Sequence, residues 1–144
     1  MNIYIRTQEL DLIKYLDDDQ TLALMRHGQR LELPAREYAL QPGQVLNSFV
    51  ILEHGELEII NASGMSSGSI YSGEIAGETC FPEPSIPKYS LRCIRDCSLI
   101  LLSFSAVKQE MDLNAEIAAR INAAINDSLC LKIIRITHNG DSND

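Results

Sequence analysis

The middle of the chain consists of short apolar runs separated by turn-forming residues, and this pattern limits the folds that it can adopt. Between Gln29 and Phe104, runs of Leu, Val, Ile, Phe and Tyr alternate with Pro-Gly, His-Gly and Gly/Ser clusters. Apolar runs with turn signals roughly every 8–12 residues are typical of an antiparallel sandwich or barrel. The pattern therefore predicts about eight short strands in this region.

Several turns can be placed within this region. In SFVILEHGELEII, the residues from Glu53 to Glu56 are predicted to form a hairpin turn, with Gly55 supplying a positive φ. The segment NASGMSSGS, residues 61–69, is typical of a flexible loop tip. The segment KYSLRCIRDCSLILLSF predicts two further strands joined by a turn near Arg95 and Asp96.

The N-terminal segment TQELDLIKYLDDDQTLALMRHG has helical spacing and predicts two short helices, interrupted at the acidic triplet 17–19. Thr7 and Asp11 are candidate N-caps of the first helix. The triplet lacks the glycine and the terminal glutamate of a calcium loop, so it indicates a solvated turn and N-cap. The apolar residues at three- to four-residue spacing are Leu10, Ile13, Leu16, Leu22 and Met25.

The last third of the chain predicts one long amphipathic helix, from an N-cap at Ser105 to about residue 136. Residues 1–136 would then form a single domain, and residues 137–144 a polar tail. The apolar stripe of this helix has two interpretations. It packs only on its own domain, or it also contacts a protein partner or a second copy in a homodimer. Its residues are Met111, Ile117, Ile121, Ile125 and Leu129.

The composition argues against several classes of partner. A net charge of −8 over 144 residues disfavours binding to nucleic acid or to an anionic membrane surface, since both require clustered cations. The sequence shows neither a signal-peptide pattern nor an apolar run of about 18 residues that would span a bilayer. Four cysteines without CxxC spacing favour reduced thiols in a cytoplasmic protein.

Residue types that perform catalysis are not clustered in the sequence. His27, His54 and His138 fall in three separate regions, without the His-x-His pair of the metal-binding cupin jelly rolls. A phosphate-binding P-loop motif is absent, and the G-x-S-x-G spacing at residues 64–68 lies in a predicted loop tip rather than in the strand-to-helix turn of a nucleophile elbow. We therefore expect a protein that is not an enzyme and has no metal site.

Two glycine-containing segments resemble a known family. In LQPGQVLNSFVILEHGELEII, Gly43 and Gly55 precede and follow a predicted strand, and YSGEIAGET places Gly73 and the pair Gly77-Glu78 further on. This order is similar to that of the cyclic-nucleotide-binding domain family, over roughly residues 8–130. The resemblance implies a mainly β fold with flanking helices: an antiparallel β jelly roll with N-terminal helices and a long C-terminal helix.

The resemblance also implies a ligand site and a ligand, cyclic AMP or cyclic GMP. In that family the segment after Gly-Glu binds the cyclic phosphate through backbone N–H groups and an arginine, while the glutamate accepts from the ribose 2′-hydroxyl. The implied ligand-binding residues are Gly77, Glu78, Thr79, Lys88, Tyr89 and Ser90.

The chain departs from the family pattern at the phosphate position. Pro87 stands where the family has arginine, and Lys88 follows one residue later, so a point charge replaces a bidentate fork. Pro84 and Pro87 would interrupt the short helix of this segment, and Glu83 adds a negative charge. Tyr71 and Phe81 are interpreted as core side chains rather than stacking platforms.

Two functions follow from these observations. The first is a non-catalytic regulatory domain of cyclic-nucleotide-binding type. It would stand alone without a DNA-binding or enzymatic output domain, act through protein–protein contacts and sense a cyclic nucleotide. The second is a cyclic-nucleotide-independent protein-interaction or dimerisation module with a degenerate pocket on the same fold. Ligand-dependent stabilisation would favour the first, and stable self-association without any response to nucleotides would favour the second.

Overall fold

The computed structural model describes residues 9–142, and the side chains of residues 9–135. The chain begins with a 3-10 turn (Asp11–Ile13) and helix α1 (Asp18–Met25), and ends with helices α2 (Phe104–Leu113) and α3 (Ala115–Ser142). The eight strands between them are β1 (Gln29–Leu33), β2 (Tyr38–Leu40), β3 (Ser48–His54), β4 (Glu56–Asn61), β5 (Ser66–Tyr71), β6 (Ile75–Ala76), β7 (Tyr89–Cys93) and β8 (Cys97–Ser103).

The strands form two four-stranded antiparallel sheets, with the orders β1-β8-β3-β6 and β2-β7-β4-β5. In β3 the five successive residues from Phe49 to Glu53 are all buried, so this strand is covered on both faces. The core between the sheets is built from apolar side chains of both, including Phe49, Leu57, Leu91 and Leu99. The predicted mainly β fold, two antiparallel sheets with flanking helices and a long C-terminal helix, is confirmed.

The β3–β4 hairpin turns at Gly55, as predicted, with a φ of 113°. A Cβ at this position would lie 2.6 Å from the Cys97 Sγ atom and 2.7 Å from the Asp96 backbone oxygen. Glycine is therefore required for two reasons. Residues with a side chain rarely adopt this backbone conformation, and the β7–β8 connection lies too close to the turn to leave room for a Cβ.

The connection between β4 and β5 is shorter than the predicted loop over residues 61–69. Strand β5 begins at Ser66, and Gly68 and Ser69 pair with residues of β4. The turn is closed by Asn61, whose Oδ1 accepts from the backbone N–H groups of Ser63 and Met65, both at 3.0 Å. The loop prediction was wrong for residues 66–69 because pairing with β4 outweighs the low strand propensity of serine and glycine.

The predicted single C-terminal helix is in fact two helices. Ser103, not Ser105, is the N-cap of α2, and its Oγ accepts from the Ala106 backbone N–H at 3.1 Å. Asn114 interrupts the helical backbone and caps α3, since its Oδ1 accepts from the N–H groups of Glu116 and Ile117. Helix α3 continues to Ser142, beyond the predicted end at residue 136, because neither proline nor glycine occurs over residues 131–139. The division of domains at residue 136 stays a prediction.

The acidic triplet is a helix N-cap, as predicted. Asp17 accepts from the Gln20 backbone N–H at 2.8 Å, and the Gln20 side chain accepts from the Asp17 N–H at 3.1 Å, so the two form a capping box. The first predicted helix is only the 3-10 turn, in which Asp11 is a turn residue and not the cap. Thr7, the other candidate cap, lies outside the described residues.

Glu110 joins α2 to the end of α1. This buried carboxylate lies 2.9 Å from the His27 Nε2 and accepts from the Arg26 guanidinium at 3.3 Å. The His27 hydrogen bond, with the Arg26 charge, holds the pKa of Glu110 below its ordinary value of 4.5. Because the folded-state pKa is lowered, this contribution to stability is present above pH 4.5 and is lost as the pH falls through the folded-state pKa.

We expect Glu110→Gln to lower the free energy of unfolding at neutral pH, with a smaller difference from the parent chain at about pH 3. Urea denaturation at both pH values measures this. Asp112→Asn, at an exposed carboxylate of the same helix, is the matched control and should change stability little at either pH. If Glu110→Gln lowers the free energy of unfolding equally at both pH values, the ionised Glu110 carboxylate is not the source of this pH-dependent stability.

Candidate functional site

Strand β6 brings Gly77 and Glu78 into the interior, at the start of the loop from Gly77 to Lys88, which we call the cassette loop. Gly77 has a φ of 106°, and a Cβ there would lie 3.0 Å from the Ser48 backbone oxygen. The N–H groups of Cys80 and Phe81 both donate to the Gly77 carbonyl, at 3.0 and 3.1 Å, which forms a tight turn. No helix follows between Gly77 and Tyr89, in agreement with the prediction that Pro84 and Pro87 interrupt a helix here.

Phe81 anchors the cassette loop to the core. Its ring centroid lies 4.9 Å from that of Phe49 and 5.4 Å from that of Phe104. The interpretation of Phe81 as a core side chain is therefore confirmed. The same interpretation was wrong for Tyr71, which ends the edge strand β5, is 48% exposed, and lies under the Arg135 guanidinium at 5.3 Å.

The Glu78 carboxylate is occupied by side chains of helix α3. Only 2% of the Glu78 side chain is exposed, and both of its oxygens accept from the Lys132 ammonium at 2.7 Å. The Ser128 hydroxyl donates to the same carboxylate at 2.6 Å, and Lys132 also donates to the Ile75 backbone oxygen at 2.6 Å. The carboxylate that the resemblance predicts to accept from a ribose hydroxyl therefore accepts from Lys132 and Ser128 of the same chain.

A second ion pair lies beside the first. The Arg135 guanidinium donates to both Glu74 oxygens, and the NH1 contact is 2.8 Å. Glu74 also accepts from the Tyr71 backbone N–H at 2.9 Å. Two acidic residues around β6 thus hold two basic residues about one turn apart on α3, and together they fix the helix across the start of the cassette loop.

Sequence reasoning missed Ser128, Lys132 and Arg135. A signal was present, since these polar residues recur at i, i+4 and i+7 in an otherwise amphipathic helix and therefore share one face. The two Gly-Glu pairs supply two carboxylates near the interior, and each requires a donor.

A cavity of about 620 Å³ opens between β5, the cassette loop and α3, and we call it the inner cavity. Of the predicted site residues, Glu78, Thr79 and Tyr89 line it. Burial raises the pKa of Tyr89 to about 12, so its phenol is neutral and remains a hydrogen-bond donor at physiological pH. The other residues that line the inner cavity are Ile59, Ser66, Ser67, Gly68, Ser69, Ile70, Tyr71, Ala76, Lys132 and Arg135.

The comparisons with known proteins agree with this architecture. No family model matches the chain, and no curated protein matches it. Solved structures do. A cyclic-nucleotide-binding domain from Methylobacillus flagellatus superposes with a TM-score of 0.86 at 14% identity, over 97% of this chain and 85% of that one. This chain has the fold of a cyclic-nucleotide-binding domain.

Two further structures show the same fold in regulator proteins. The c-di-GMP-responsive global regulator CLP of Xanthomonas campestris matches with a TM-score of 0.75 at 24% identity, over 87% of this chain and 63% of that one. The sensor domain of the regulator DNR from Pseudomonas aeruginosa matches with a TM-score of 0.69 at 16% identity, over 91% of each chain. At these identities the likeness concerns the fold.

Within the cyclic-nucleotide-binding fold, five of the six predicted ligand residues of this chain line two different surfaces, and Gly77 lines neither. Lys88 and Ser90 line a separate groove of about 470 Å³, together with Glu58 and Arg92, and we call it the outer groove. Ser90 and Arg92 are alternate positions of β7, and Lys88 directly precedes this strand. Because successive residues of a strand point to opposite faces, these three residues lie across the sheet from Leu91, which belongs to the core. Tyr89 borders both surfaces, whereas Lys88 does not line the inner cavity.

The predicted apolar stripe packs on its own domain. Ile117, Ile121 and Ile125 are buried, and Met111 and Leu129 are partly buried against the core. A partner contact through this stripe stays a prediction, and of the five side chains only Met111 and Leu129 keep part of their surface exposed. Among the described side chains of α3, the large apolar residues that are exposed lie further along, at Leu131, Ile133 and Ile134.

Two further observations bear on function. Within the described residues, no group of three or more His, Cys, Asp or Glu side chains is placed to hold a metal ion. None of the helices in the described part of the chain is long and apolar enough to cross a membrane.

Proposed function

We propose that this chain is a non-catalytic regulatory domain in which the inner cavity communicates with helix α3. The observation that carries the proposal is the position of Glu78, which lines the inner cavity and is bound by Lys132 and Ser128 of α3. Lys132 and Arg135 of α3 line the same cavity, so a ligand there contacts the helix directly. Such a ligand has a different affinity for the domain with α3 docked, as in this structure, than for the domain with α3 displaced. It therefore shifts the population between these two states.

Cyclic AMP and cyclic GMP are candidate ligands on the strength of the fold and of the Gly77-Glu78 pair. The arrangement of cations argues for weak binding, because Pro87 replaces the arginine of the resembled pattern and Lys88 lines the outer groove. The output, on this proposal, is a contact between α3 and a partner protein in the cytoplasm.

Hydrogen exchange tests the proposal directly. We expect at least one small molecule from a panel of cyclic AMP, cyclic GMP, c-di-GMP and their parent nucleosides to change the exchange of amides in residues 126–135. The matched control is β3, which lies within the covered core and should be unaffected. If a molecule binds and α3 exchange does not change, the proposed communication is wrong.

A second function, a ligand-independent interaction module, is supported by a different observation. Ile133 and Ile134 of α3 are 62% and 63% exposed, and the neighbouring Leu131 is also exposed. If this surface is the working one, light scattering will show stable self-association without any ligand, and Ile133→Asp will abolish it. A monomer that responds to a ligand would favour the first function.

A further inference from the structure

The charges that line the inner cavity are already balanced within the chain. Three of the described lining residues are charged, namely Glu78, Lys132 and Arg135. Lys132 is bound to Glu78 at 2.7 Å, and Arg135 is bound to Glu74, which lies beside the cavity. The inner cavity therefore presents no uncompensated cation from its described lining residues to an incoming anion.

Binding an anion there would break an existing pair. If Lys132 turned to a phosphate, the Glu78 carboxylate would keep only the Ser128 hydroxyl while nearly all of its side chain is buried. An unpaired buried carboxylate is costly, and the cost would lower anion affinity by about a hundredfold or more. A cationic ligand is not favoured either, because the one carboxylate among the described lining residues, Glu78, already accepts from Lys132 and Ser128.

The remaining lining suits a planar molecule with hydroxyl groups. Tyr71 and Tyr89 provide aromatic surface, and Ile59, Ile70 and Ala76 provide apolar surface. The hydroxyls of Ser66, Thr79 and Tyr89 border the same space, whereas that of Ser69 is already bound to Glu56 at 3.0 Å. A volume of about 620 Å³ lies within the range of small-molecule sites.

We propose that the inner cavity binds an uncharged, planar, hydroxyl-bearing molecule of the nucleoside class in preference to its phosphorylated counterpart. The inference rests on the proposed function, since it names the ligand class of the same cavity. It reverses the preference that the resemblance implies, because here the cations of α3 neutralise Glu78 and Glu74 and leave none for a phosphate.

Adenosine and cyclic AMP form a matched pair for the test, since they differ by the cyclic phosphate, and guanosine and cyclic GMP form a second. Titration calorimetry of the full chain should give at least about tenfold tighter binding for each nucleoside than for its cyclic nucleotide. Equal or tighter binding of the cyclic nucleotides overturns the inference, and so does the absence of nucleoside binding up to the solubility limit.

A single substitution should reverse the preference. Glu78→Gln retains the shape of the side chain but leaves Lys132 as an unpaired cation at the cavity wall, so cyclic AMP affinity should rise at least about tenfold. Adenosine affinity should change by less than about threefold. Under the resemblance Glu78 binds the ribose, and the same substitution would weaken cyclic AMP instead. Arg92→Gln, in the outer groove, is the control and should alter neither affinity.

The two proposals fail separately. Nucleoside binding without a change in α3 hydrogen exchange would support the ligand class and refute the regulatory communication. Cyclic AMP binding that alters α3 exchange, without nucleoside binding, would support the regulatory function and refute the ligand class. If Glu78→Gln does not fold, as seen by circular dichroism, the two matched ligand pairs on the parent chain decide the question.

Discussion

Replacing Lys132 by methionine is expected to lower the free energy of unfolding by about 3 kcal/mol at neutral pH. Methionine retains much of the side-chain volume but removes the ammonium, which donates to Glu78 and to the Ile75 carbonyl. Glu78 is then left buried and charged, with the Ser128 hydroxyl as its one remaining side-chain donor among the described residues. Because 22% of the Lys132 side chain is exposed, water can reach part of the site, and we take the lower end of the usual cost.

Urea denaturation measures this loss, and a second substitution identifies its source. In the Lys132→Met background, Glu78→Gln should restore at least about half of the lost stability, since it removes the unpaired charge. Lys108→Met is the matched control. Lys108 pairs with Asp112 at 3.5 Å on the surface, where both side chains are more than half exposed, so its loss should stay within about 0.5 kcal/mol. Equal losses for Lys132→Met and Lys108→Met would show that the buried pair contributes no more than a surface pair.

Gly55→Ala is expected to destabilise the domain by a similar amount, about 3 kcal/mol. The new methyl group would meet the Cys97 Sγ atom at 2.6 Å and the Asp96 backbone oxygen at 2.7 Å, and the backbone there has a φ of 113°. Relief requires a shift of the β7–β8 turn, which the paired strands on both sides resist.

Gly43→Ala separates the two causes of this loss. Gly43 also has a positive φ, 77°, but no atom lies within 4 Å of the position of an added Cβ. Its substitution should therefore cost only the conformational part, about 1 kcal/mol. Thermal or urea denaturation of both variants gives the comparison. If the two substitutions cost the same, the contact with Cys97 and Asp96 is not what requires glycine at position 55.

Local patterns predicted much of the fold, and the errors have physical causes. The Gly55 turn and the Asp17 cap follow from residues that are neighbours in the chain, and both are confirmed. The start of α2 was placed two residues late because Ser103 and Ser105 are equally good caps in sequence, and only the end of β8 decides between them. Strand β5 was missed because its Gly and Ser residues form a strand only when β4 is beside them.

The candidate site was harder to predict, because its decisive contacts join distant parts of the chain. Glu78 and Lys132 are separated by 54 positions, and no local pattern states which basic residue a buried carboxylate will meet. Lys88 was assigned to the site from its place after the proline, but it lines the outer groove rather than the inner cavity. Thr79 and Tyr89 line the inner cavity, since they lie close to the Gly77 turn or on the strand that follows it, and their role in ligand binding stays a prediction.

The double ion pair between β6 and α3 also has a consequence for how this sequence can diverge. A descendant that loses the carboxylate at position 78 leaves Lys132 without its ion-pair partner. A descendant that loses Lys132 leaves the buried Glu78 carboxylate unpaired. Either single substitution lowers the stability of the domain, so positions 78 and 132 should change together across a lineage. The same holds for positions 74 and 135. The two Gly-Glu pairs and the end of α3 are thus inherited as a unit, although the chain separates them by more than fifty residues.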